Sequence, residues 1–146
     1  MTEPGPDRQV VIDADGRAKA YRPLPAAERV AAVTAGLRAY ADGDFFEAHE
    51  CMEPAWMGTA DAAERALIQG LIKVAAADVH AVRGNPRGVV RNLEGARDRI
   101  RSAVPDGTIT GIDLDVTALL AGIDRRLTDL AAERPSGPLD ITWRPR

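Results

Sequence analysis

The sequence predicts an all-α protein, a single-domain bundle of about five helices. Three observations carry that prediction. Apolar residues recur at spacings of three and four along five separate stretches, the period of a helix with one buried face. No strong strand pattern interrupts them. The links between stretches are short, roughly three to five residues, which favours antiparallel neighbours. At 146 residues the length fits one domain, with a core large enough to need no cross-links.

Residues 1–25 form a polar lead with Pro, Gly and mixed charges. They are either a flexible arm or an extended segment docked on the bundle. The helical domain follows over 26–134. Its first helix spans 26–41, with Val30, Val33, Leu37 and Tyr40 on one face and Pro25 at its start. Asp42, Gly43 and Asp44 break the chain, and Gly43 can close the helix in a left-handed conformation. A second helix spans 45–56. Asp44 and Glu47 have the spacing of a reciprocal capping box at its start. Phe45, His49, Met52 and Trp56 share one stripe, and Phe46, Glu50 and Glu53 the next. Pro54 lacks a backbone donor and clashes with the preceding turn, so a kink or an end is expected there.

The third helix, 62–82, is the longest. Asp61 and Glu64 again have capping-box spacing, and Leu67, Ile68, Leu71, Ile72, Ala75 and Val79 make a wide apolar face. Gly70 suits close approach of another helix. Gln69, Lys73 and His80 lie on a separate polar stripe. Asn85 caps the fourth helix, 86–103, with Pro86 in its first position. Val89, Leu93, Ala96 and Ile100 face inward, and an Arg-bearing row faces solvent. The fifth helix, 114–133, has Asp113 as its expected cap. Val116, Leu120, Ile123, Leu127 and Leu130 are its inward stripe. The tail, 135–146, alternates Leu139, Ile141 and Trp143 with polar residues, which fits an extended segment laid in a groove.

Composition narrows the function classes. A net charge of −3 argues against a general nucleic-acid face, because phosphate contacts come mostly from Lys and Arg. A weaker reading takes the Arg row of the fourth helix as the mark of an anionic partner. The single cysteine, Cys51, forms no internal disulfide and fits a small buried hydrophobe better than a nucleophile. No signal-peptide pattern and no bilayer-length apolar run appear, so a cytoplasmic location without membrane partner is expected. Partners remain open, a homodimer among them; an exposed apolar strip on the tail or first helix would indicate one.

Chemistry concentrates at His49, Glu50 and Glu53. On a continuous helix His49 and Glu53 project from one face and could share a divalent metal, with His80 as a further ligand from the third helix. Glu50 could act as general base on a water, as in zinc hydrolases built on His-Glu-x-x-His, although a Glu replaces the second His here. Phe46, Trp56, Gln69 and Lys73 would line the pocket between the two helices. The di-iron spacing Glu-x-x-His is absent. The competing reading is a non-enzymatic interaction or scaffold protein, in which the same cluster is a structural hydrogen-bond network fixing helix register.

The motifs Phe45-Phe-Glu-Ala-His-Glu50 with Glu53 and Trp56, then Leu67-Ile-Gln-Gly-Leu-Ile72 with Ala75-Ala-Ala77 and His80, then Gly84-Asn85 and Gly88, resemble the small bacterial and archaeal family DUF309. The resemblance runs over about residues 26 to 133. It implies a compact helical bundle and a site at Phe46, Glu47, His49, Glu50, Glu53, Trp56, Gln69 and His80, and it supplies no reaction. Pro54 and Lys73 depart from the family pattern.

Overall fold

A computed structural model describes residues 10–12 and 18–146, with side chains described from residue 21 onward. Five helices dominate: α1 (Ala26–Ala41), α2 (Phe45–Met57), α3 (Ala62–Val82), α4 (Pro86–Ala103) and α5 (Val116–Ala131). Four strands of three residues each accompany them: β1 (Val10–Ile12), β2 (Ala18–Ala20), β3 (Ile112–Leu114) and β4 (Trp143–Pro145). The strands form two antiparallel pairs, β1 with β2 and β3 with β4. What the sequence suggested for residues 1–9 and 13–17 lies outside the described residues. Beyond β2, the backbone of Arg22 and Leu24 donates to the Met57 and Gly58 carbonyls, which lays this part of the lead along the α2–α3 link.

The helix α3 holds the centre because it is apolar over most of its circumference. Leu67, Ile68, Leu71, Val74, Ala75 and Ala77 are all buried. Its broadest contact is with α4. Gly70 makes that contact close, since a Cβ there would lie 2.5 Å from Ile100 Cγ1. On the other side α1 and α2 pack as a pair, with Leu37, Tyr40, Met52 and Trp56 buried between or beneath them.

Several local expectations are corrected. The helix α2 continues through Pro54 to Met57 rather than ending there. Pro54 and Glu50 are both exposed, so the missing donor lies on the solvated side of the helix, where its loss costs least. Asp44 occupies the N-cap position of α2 but its carboxylate accepts no capping bond. Nor does Glu47 complete a box: the Asp44 amide it would accept already donates to the Ala39 carbonyl at 2.9 Å. Glu47 instead accepts from Cys51 Sγ at 3.3 Å. The cap of α5 is Asp115, whose side chain accepts from the Ala118 amide, and the helix starts at Val116. Asp113 belongs to β3, where its carboxylate meets Arg144 and Arg146 of the tail. At α3 the box is half formed. Asp61 accepts from the Glu64 amide, while Glu64 Oε1 accepts from the Thr110 amide at 2.8 Å and ties α3 to the α4–β3 link.

Candidate functional site

Helical geometry assembles the His/Glu cluster on α2. At 3.6 residues per turn, Glu53 sits about 40° round the helix from His49 and one turn along, between the directions of His49 and Glu50. The three side chains therefore converge. One ligand atom from each lies within 4.8 Å of the others. His49 Nδ1 is 3.3 Å from Glu50 Oε1. The site is a surface one: His49 is half-buried with its side chain 27% exposed, and Glu50 is 51% exposed. Continuity of α2 past Pro54 is what keeps Glu53 in this set.

His80, expected as a further ligand, lies elsewhere. It faces α4, where its Nδ1 is 3.1 Å from Asn85 Nδ2. With Nδ1 accepting from that amide, the proton of the neutral ring is on Nε2. Gly88 makes room for the imidazole; a Cβ at that position would overlap the ring. Asn85 also accepts from the Gly88 amide at 3.2 Å, so the expected cap is present and does double service. Lys73 lines the same α3–α4 groove, seven residues before His80, with its chain over Gly95. Gln69 is buried on α3. Trp56 is 2% exposed and part of the core, whereas Phe46 is 62% exposed at the surface of α2. His49, Glu50 and Glu53 come together on α2, and His80 and Lys73 both line the α3–α4 groove.

Cys51 is only half-buried. Burial, then the neighbouring Glu47 carboxylate, pushes its thiol pKa up, so it is held as a thiol and donates to Glu47.

A second polar cluster, not foreseen from the sequence, sits in the core. Asp78 of α3 is 1% exposed and Arg126 of α5 is 5% exposed. The Tyr40 hydroxyl of α1 donates to Asp78 Oδ2 at 2.5 Å and accepts from the Leu139 amide of the tail at 2.8 Å. Arg126 Nη1 lies 2.8 Å from Asp78 Oδ1. That contact is an ion pair without good hydrogen-bond alignment, because neither Nη1 nor Nε of Arg126 has an aligned acceptor among the described residues. Burial first, and then the adjacent carboxylate, pushes the Tyr40 hydroxyl far above its usual range. The signal was present in the pattern. Asp78 continues the stripe of Leu71 and Val74, and Arg126 that of Leu119 and Ile123. One acid and one base interrupting apolar stripes on different helices are each costly to bury alone, which makes a pair the favoured solution.

A family model described as a domain of unknown function, DUF309, matches residues 33–92. Over that stretch the chain resembles the DUF309 family. The match contains the whole α2 cluster and also Gln69, His80, Asn85 and Gly88. It is shorter than the span over which the motifs suggested the resemblance, and Arg126 and Leu139 of the buried cluster lie outside it. No curated protein and no solved structure matches the chain. Among the described residues, no helix is long and apolar enough to cross a membrane.

Proposed function

We propose that this DUF309-like chain binds a divalent metal ion at the surface of α2 through His49, Glu50 and Glu53. The observation that carries the proposal is the convergence of one imidazole nitrogen and two carboxylate oxygens within 4.8 Å. Bonds of about 2.1 Å in a tetrahedral site place donor atoms roughly 3.4 Å apart, so small side-chain rotations close the set. One imidazole and two carboxylates suit a borderline ion such as Zn²⁺ or Mn²⁺. Three protein ligands leave a position for water, the arrangement that supports hydrolysis. In this set Glu50 is a ligand, and the role of general base passes from it to a group on the substrate or to solvent. The register-fixing role considered for this cluster is better suited to Asp78 and Arg126, which are buried where His49 and Glu50 are not.

Calorimetric titration of metal-stripped, untagged protein with Zn²⁺ and with Mn²⁺ tests the proposal. One ion per chain is expected. His49→Ala and Glu53→Gln should each weaken binding at least roughly tenfold, while His80→Ala leaves it unchanged. Substoichiometric uptake by the wild type, or equal affinity in His49→Ala, refutes it. Hydrolysis of activated phosphate and carboxylate esters by the loaded protein, lost in the same variants, tests the catalytic part.

A further inference from the structure

We propose that the chain self-associates as a two-fold dimer through the groove between the start of α2 and the end of α3. This inference is independent of the metal site. Two of the largest exposed apolar side chains flank this groove: Phe46 is 62% exposed and Val82 is 75% exposed. Neither the tail nor α1, where the sequence would have sought a dimer strip, carries such a pair. Phe45 and Val79 complete the apolar lining of a groove of about 480 Å³. Exposed apolar side chains gathered in one groove mark a contact surface, whereas the same residues scattered singly would not.

The charges at its edges select a second copy as the occupant. Asp44 and Glu47 stand on the α2 wall and Arg83 on the α3 wall. Among the described residues neither Asp44 nor Arg83 is engaged in an ion pair. In an isologous contact each residue i that meets j is matched by j meeting i. A two-fold axis through the groove therefore sets each Arg83 against the other copy's Asp44 and Glu47, with Phe46 of each copy over the other's Val79 and Val82. Acid on one wall and base on the other make the surface complementary to itself. A patch of this size belongs to the weak end of specific interfaces, with a Kd of roughly 10–100 µM.

Sedimentation velocity of the full chain from about 5 µM to about 500 µM, which spans that Kd, reads the equilibrium. The wild type should pass from monomer to dimer and no further. Phe46→Glu should raise Kd at least roughly tenfold, and Val82→Asp, at the more exposed site, should do the same if the first variant proves unstable. Glu47→Arg and Arg83→Glu should each weaken the dimer, and the two combined in one chain should bring Kd back to within about threefold of wild type. A wild type that stays monomeric, open-ended higher oligomers, Phe46→Glu and Val82→Asp dimerising like wild type, or a charge exchange that fails to recover association overturns the proposal.

Discussion

Asp78→Ala should be among the most damaging single substitutions in this protein. Asp78 is 1% exposed and both of its oxygens are in use, one by Tyr40 at 2.5 Å and one by Arg126 at 2.8 Å. Removing it leaves a guanidinium only 5% exposed with no counter-charge among the described residues. Breaking a buried pair in this way costs about 3–5 kcal/mol, most of it the desolvation of the remaining charge. With a urea slope of about 2 kcal/mol/M for a domain of this size, the midpoint should fall by about 2 M. Asp124→Ala is the control. Its contacts with Arg97 and Arg101 are 3.5 and 3.6 Å long and half-exposed, so the loss should be no more than about 0.5 kcal/mol. The double change Asp78→Leu with Arg126→Met separates the pair's own worth from the cost of an orphaned charge. Because Arg126 is imperfectly aligned with its acceptor, the double variant should recover part of the loss, while the Tyr40 hydroxyl left without its acceptor keeps it about 1–3 kcal/mol below wild type. Urea unfolding followed by circular dichroism measures all four proteins. If Asp78→Ala costs under about 1 kcal/mol, or the double variant is no more stable than Asp78→Ala, the assignment of a desolvated, poorly aligned pair is wrong.

Two further outcomes follow from the same geometry. Gly88→Ala would ordinarily stabilise a helix by up to about 1 kcal/mol, but here the new Cβ overlaps the His80 ring, so the sign should reverse to a loss of about 1–3 kcal/mol with a displaced His80 imidazole signal by NMR; a more stable variant with an unmoved imidazole refutes the packing. The Tyr40 hydroxyl is raised from its ordinary 10.0, so its contribution to stability is fully present below pH 10.0 and is lost as pH rises through the folded-state value; in a Tyr21→Phe background the folded protein should lack tyrosinate absorbance at about pH 11 and gain it in urea, and ionisation near the ordinary value while folded would contradict the buried contact with Asp78.

The helices were legible because their signals are local. Periodicity and terminal residues placed 26–41, 62–82 and 86–103 where α1, α3 and α4 lie. Some of the misplaced details depended on a distant partner. Asp113 looked like a helix cap until Arg144 and Arg146 of the tail claimed it within β3. Pro54 suggested a break because sequence alone does not show that its bare turn faces water. His49, Glu50 and Glu53 could be grouped from spacing on one helix. Placing His80 required knowing which flank of α3 meets α4, and the small residues at 88 and 95 were the available clue. Asp78 and Arg126 were passed over because each looked like one polar residue in an otherwise apolar stripe, and only their meeting across the core gives them meaning.

The bond from the Leu139 amide to the Tyr40 hydroxyl spans 99 positions of sequence, while the α1–α2 and α3–α4 hairpins form from neighbouring segments. Closing so long a loop carries a greater entropic cost than closing either hairpin. The polar centre of the bundle thus works as a completion mark. Tyr40 has both its partners only where α3 and the tail are in place, and a chain folded through α4 alone would carry its Asp78 carboxylate without the arginine of α5 that neutralises it.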